Sequence, residues 1–148
     1  MFRHVLVPTD GSDLSAKAVA QAIELAKSVN ASVTALHAYP EYHPMILYEY
    51  VGPIDAMNRQ DYLRAAKSTA ERYLADVTKA AEAVGVQANG VALVSDQPHE
   101  AIIKAAKKGK CDLIVMASHG RRGVAGLLLG SVTQKVLTHS TIPVLVVR

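Results

Sequence analysis

Acidic side chains are missing from the C-terminal part of the chain. Between Leu113 and Arg148 there is no Asp or Glu, while Arg121, Arg122, Lys135 and Arg148 fall in the same span. Cysteine is nearly absent as well. Cys111 stands alone among 148 residues, so no disulfide forms within the chain and a reducing compartment, the cytoplasm, is expected. Cys111 precedes an apolar run and reads as a small buried hydrophobe rather than a nucleophile. Tryptophan is absent and there is one Phe, which argues against base stacking on single-stranded nucleic acid. A net charge of +3, spread over scattered lysines, lacks the dense basic stripe of a DNA-binding surface. No window approaches the apolar length that crosses a bilayer, and the start MFRHVLVPTDG has no signal-peptide core. Neither nucleic acid nor membrane is therefore an expected partner.

Two phosphate fingerprints are also missing. There is no G-x-x-x-x-G-K-[ST] and no G-x-G-x-x-G after the first apolar run, against a P-loop NTPase and a nicotinamide-type dehydrogenase. His43, His99 and His119 are not at metal-ligand spacing, so no protein-held metal is expected.

The residues present describe one α/β domain over 1–148. Half of the chain is apolar and a fifth is charged, an ordinary globular balance. Val5, Leu6 and Val7 form a short β-branched run that predicts a strand buried on both faces. Ser12 or Asp13 then caps a helix over 13–29, with Ala16, Val19, Ala20, Ile23, Ala26 and Val29 as its apolar stripe. A second strand spans 31–39. The segment 40–55, rich in proline and tyrosine, predicts a long loop or lid. Residues 56–84 form a long helix ending before Gly85, with Leu63, Ala66, Ala70, Tyr73, Leu74, Val77 and Ala81 inward. A third strand over 86–94 is interrupted by Asn89-Gly90, and Pro98 opens a helix that runs to about Lys108. Strand four covers 112–117, a helix covers 130–138, and a last strand covers 143–147. Strands alternating with helices imply a doubly wound, Rossmann-like parallel sheet of five strands flanked by four helices.

Ligands in such sheets bind where the strand order reverses, beyond the C-terminal ends of the strands. Order 2-1-3-4-5 would pair Asp10 with Ser95-Asp96, which repels phosphate. Order 3-2-1-4-5 pairs Asp10 with the acid-free loop carrying Gly120, Gly123, Gly126 and Gly130. That loop opens onto a helix N-terminus, where free N–H groups and the helix dipole favour an anion. The second order is the one expected, with the phosphates of a nucleotide on the loop. Ser131 and Gln134 form a capping-box pattern at the start of that helix.

VLVPTDGS near the start, the MASHG block, the spacing from Gly120 to Gly130-Ser131 and the terminal PVLVV resemble the universal stress protein family over essentially the whole chain. The resemblance implies the 3-2-1-4-5 sheet, a dimer and a role in stress response. The family's ATP-binding branch carries G-2x-G-9x-G-[ST], which falls here on Ala117, Gly120, Gly130 and Ser131, with alanine replacing the first glycine. What the resemblance implies for the site is Asp10 on the ribose hydroxyls, with Pro8 and Thr9 lining the cleft, and Ala38 offering its backbone to adenine. It further implies Gly120, Gly123, Gly130, Ser131 and Val132 around the phosphates, while Arg121 and Arg122, read from the loop itself, either close over the phosphates or face water. ATP, with Mg²⁺ held by phosphate oxygens and water, is the expected ligand. The apolar edge strand Val144–Val147 is the expected homodimer interface. Two rivals stand beside this binding module. One is a slow ATPase or phosphotransferase using His119 as base. The other is a nucleotide-independent interaction dimer, which Ala117 favours.

Overall fold

The computed structural model describes residues 1–44, 58–121, 123 and 129–148. Five parallel strands run β1 (His4–Pro8), β2 (Ser32–Tyr39), β3 (Ala88–Val94), β4 (Leu113–Ala117) and β5 (Val144–Val147) in the order β3-β2-β1-β4-β5. Among the described residues four helices connect them: α1 (Asp13–Val29), α2 (Arg59–Ala83), α3 (Pro98–Lys108) and α4 (Ser131–His139). The fold is the doubly wound α/β sheet that the alternation of elements implies, and its order reverses between β1 and β4. No described helix is long and apolar enough to cross a membrane.

Each face of the sheet has its own core. Val5, Val7, Val33, Ala35, Leu113 and Val115 point toward α1 and α2, while Leu6, Leu36, Ile114 and Met116 point toward α3 and α4. The period-2 alternation of strand side chains creates this division. β1 and β4 are central, so both faces of each are buried and every residue of LIVMA is inside. Burying a Leu or Val side chain contributes about 1.5–3 kcal/mol, which makes these two strands the anchor of the site at their C-terminal ends.

Ser12 caps α1 by accepting from the Ser15 N–H at 3.2 Å. The face of α1 that packs inward carries Ala18, Ala22 and Ala26 beside Val19 and Ile23, whereas Ala16 and Ala20 are exposed. Alanine's small size leaves its side of a helix ambiguous in the sequence, and the close approach of α1 to β1 and β4 settles it. α2 begins at Arg59 rather than 56 because Asn58 accepts from the Asp61 N–H at 2.9 Å and caps it there. The expected loop or lid over 40–55 lies mostly outside the described residues.

Asn89-Gly90 does not interrupt β3. Both residues pair with β2, opposite Thr34 and Ala35. Asn89 Oδ1 accepts from the Thr34 hydroxyl at 2.8 Å, and a Cβ at Gly90 would lie 2.9 Å from Leu74 Cβ. The glycine is there because α2 lies directly on the strand. Ser131 does not cap α4 either: Gly130 is the N-cap, no side chain bonds the helix start, and Ser131 is its first residue. Cys111 is buried, and burial together with nearby Asp112 pushes its thiol up to about 11, so it stays protonated and unreactive at neutral pH.

Candidate functional site

A cleft of about 220 Å³ opens at the C-terminal ends of β1, β2 and β4. Leu36, Pro98, Ile102, Met116 and Val132 make its apolar wall, and Thr9, Asp10, Ser15 and Thr133 supply its polar groups. Thr9 is held by the sheet itself: its N–H donates to the Leu36 carbonyl at 2.8 Å. Its own carbonyl accepts from the His37 ring at 2.7 Å. A carbonyl cannot donate, so His37 carries its proton on Nδ1. His37 thus positions the end of β1, a rim role.

Asp10 follows at the mouth. Its Oδ1 accepts from the Ser12 N–H at 3.0 Å and its Oδ2 from the Arg121 N–H at 2.9 Å. Partial burial pushes this carboxyl up, but the hydrogen bonds from Ser12, from Arg121 and from Ser15 outweigh it and hold Asp10 below the usual carboxylate value. It is ionised at neutral pH. Gly11 turns away with φ +74°, and Tyr73 from α2 lies where its Cβ would be. Both demands require glycine.

On the far side of the cleft the loop after β4 is pinched at its base. The Gly130 N–H donates to the Ser118 carbonyl at 2.7 Å, and the Ser118 N–H donates to the Val147 carbonyl at 2.7 Å. Thr133 Oγ1 donates to the Ala117 carbonyl at 2.9 Å, tying the first turn of α4 to the end of β4. The first N–H groups of a helix have no intrahelical acceptor, and at α4 no side chain takes their place. A Cβ on Gly120 would overlap the Asp10 carboxylate, and one on Gly130 would lie 3.1 Å from His119 Cα. Ala117, at the position of the first motif glycine, is an ordinary strand residue paired with Val147. It lines the cleft while its methyl belongs to the core on the α1 and α2 face, and the strand conformation carries no backbone strain.

The structure brings Pro8, Thr9, Asp10, Ala38, Ala117, Gly120 and Val132 together on this cleft. Gly130 and Ser131 stand at the start of α4. Gly123 packs on the His119 ring. The Arg121 side chain leaves the cleft: its guanidinium donates to the Tyr73 hydroxyl. Arg122 lies outside the described residues. Ser15, Leu36, Pro98, Ile102, Met116 and Thr133 are cleft residues that sequence reasoning missed. Nothing in their spacing separates them from core. Asp96, the rival acid, sits beyond β3, where it accepts from the Glu41 N–H at 3.0 Å and pairs with His43 at 2.8 Å.

Comparison with known proteins bears on the family and the fold. The chain is 36% identical over 154 residues to the universal stress protein YxiE of Bacillus subtilis, each covering the other fully. The solved structure of MJ0577, a universal stress protein of Methanocaldococcus jannaschii, superposes with a TM-score of 0.79 at 29% identity, over 99% of this chain and 96% of that one. A universal stress protein solved in complex with cAMP superposes with a TM-score of 0.72 at 30% identity, over 99% and 97% of the two chains. The profile of the universal stress protein family matches residues 1–148. With its sheet order and the match over residues 1–148, this chain belongs to the universal stress protein family.

Proposed function

We propose that the cleft binds ATP or a related adenine nucleotide, and that the protein acts in the cytoplasm as a dimeric, nucleotide-responsive regulator of a stress state. One observation carries this reading: an ionised carboxylate and an uncapped, acid-free helix start face each other across one apolar slot. Asp10 accepts from ribose hydroxyls, the wall of Leu36, Ile102 and Met116 takes the base, and the N–H groups of Ser131 and Val132, in the first turn of α4, take phosphate oxygens. A 30%-identical relative was solved with cAMP, which supports an adenine ligand. Asp10 is the one carboxylate lining the cleft among the described residues, so Mg²⁺ would arrive on the phosphates, held by their oxygens and water. No step of hydrolysis is assigned. Titration calorimetry with Mg·ATP tests the reading. Saturable heat that disappears in Gly130→Val is the expected result, and no heat from the native protein at millimolar ATP would overturn it.

The dimer rests on β5. This strand pairs with β4 on one side only, and Leu145 on it is 42% exposed. An apolar edge calls for cover, and the same strand of a second copy supplies it with two-fold symmetry. Leu145→Lys is expected to convert the dimer to monomer in sedimentation experiments.

A further inference from the structure

We infer that Arg121 and Tyr73 form a latch that holds the glycine loop on Asp10, so that Tyr73, a residue of α2 outside the cleft, sets how readily and how selectively a nucleotide enters. The inference rests on the proposed role of Asp10 at the ribose and adds a regulation of that same site.

The carboxylate that a ribose would use is already engaged. Oδ1 accepts from the Ser12 N–H, a local turn bond that a ligand can leave in place. Oδ2 accepts from the Arg121 N–H at 2.9 Å, a bond across 111 residues between two separate loops. Gly120 rests against the same oxygen so closely that a Cβ would not fit. Oδ2 keeps a second lone pair, but the Gly120–Arg121 backbone crowds it, so ribose and loop compete for the space around Oδ2.

What holds the loop in that position is the Arg121 side chain. Its guanidinium donates to the Tyr73 hydroxyl, and Cζ lies 5.5 Å from the centre of the Tyr73 ring. Among the described residues it has no carboxylate partner. Tyr73 is a firm post. Its ring covers Gly11, which has no side chain to interfere, and it meets the His37 ring edge-on at 5.2 Å. His37 in turn holds the Thr9 carbonyl. Loop β1–α1, strand β2 and helix α2 thus fix the ring, and the ring fixes Arg121.

A consequence for ligand class follows. A nucleotide gains at this end only if it returns more to the carboxylate than the Arg121 N–H did. A free 2′,3′-diol offers two O–H donors to one charged acceptor. A 3′,5′-cyclic nucleotide keeps only the 2′-hydroxyl and merely replaces one donor with another. The latch therefore selects for nucleotides with an open diol.

The test uses the full chain with Tyr73→Phe, which keeps the ring on Gly11 and loses the acceptor, and with Arg121→Ala, which keeps the backbone N–H and loses the side chain. Calorimetry is expected to show Mg·ATP bound about two- to fivefold more tightly by both variants, the scale of one exposed hydrogen bond for Tyr73→Phe and of one exposed cation–ring contact for Arg121→Ala. The native protein is expected to prefer ATP to 3′-deoxy-ATP, which carries the same phosphates and lacks the diol, by about tenfold, the scale of one hydrogen bond to a charged group. Hydrogen exchange reads the latch without ligand: the Arg121 amide is expected to be protected in the native protein and to lose protection in Tyr73→Phe. Unchanged or weaker ATP binding in both variants, or an Arg121 amide that exchanges freely in the native protein, would overturn the latch. A protected amide released by Tyr73→Phe, in a protein that binds no nucleotide, would confirm the latch and remove the nucleotide reading alone.

Discussion

The loops after β1 and after β4 lie side by side at the point where the strand order reverses, and each delivers the chain into a helix. Their helix starts are built oppositely. The first is closed upon itself: Ser12 caps α1, Asp13 lies in its first turn, and Asp10 accepts the Ser12 N–H. The second has neither acid nor side-chain cap. A capped, acidic helix start has spent its donors and presents a carboxylate, which suits hydroxyl groups. An uncapped start with no acid nearby keeps its donors, which suits an anion. Two helix N-termini in one cleft thus become complementary halves of the proposed nucleotide site through a few local residues.

Making the second start resemble the first should have the largest effect. Gly130→Ala and Gly130→Asp place the same Cβ 3.1 Å from His119 Cα, so they differ only in what lies beyond it. A carboxylate a few ångströms from phosphate is expected to cost about a hundredfold in ATP affinity relative to the alanine variant. The aspartate, being a good N-cap, should be more stable to urea than the alanine by about 1 kcal/mol. Binding and stability moving together would contradict the contrast drawn between the two loops.

Removing the charge from the first loop should come next. Asp10→Asn is expected to weaken ATP binding by about tenfold. It should also alter acid stability. Asp10 lies below its ordinary value of 3.8 in the folded protein, so between the folded and unfolded values the unfolded chain binds more protons. Stability is therefore full above the unfolded value and is lost as pH falls through the folded one. Part of the fall in melting temperature below about pH 4 should vanish in Asp10→Asn. Asp112, also held low, against burial, by the N–H groups of His4 and Arg3, should keep part of the remainder, and Asp112→Asn should remove that part.

The smallest effect is expected at Ser12. Ser12→Ala removes the α1 cap and should cost about 1 kcal/mol, lowering the melting temperature by roughly 2–4 °C. ATP affinity should hardly change, because α1's start is closed to the anion with or without that hydroxyl.

The contrast between the loops was visible in residue types: acids and serines after β1, glycines and arginines after β4. So was the burial of β1 and β4 on both faces, since a strand that reads LIVMA has no polar face to turn to water. Pro98 and Ser12 marked their helix starts correctly because capping is a local matter. Three features were not legible. Asn89-Gly90 looks like a turn until Leu74 of α2 is placed on it. Ser131 looks like a cap, but the Gly130 carbonyl accepts from the Gln134 N–H at 2.9 Å and begins the helix one residue earlier. Tyr73 falls on the inward stripe of α2 and looks like core, yet its ring reaches past the sheet edge to two loops.

By itself the sequence determined the elements, their alternation and the chemical character of each loop, because these depend on side-chain period, capping and charge among near neighbours. Only the tertiary structure decided which apolar residues wall the cleft, that Asp10 meets the backbone of Arg121, and that Arg121 turns to Tyr73 instead of the phosphates. Those outcomes depend on distances between segments up to 111 residues apart, and such distances are set by how helices settle on the sheet, which no local pattern records.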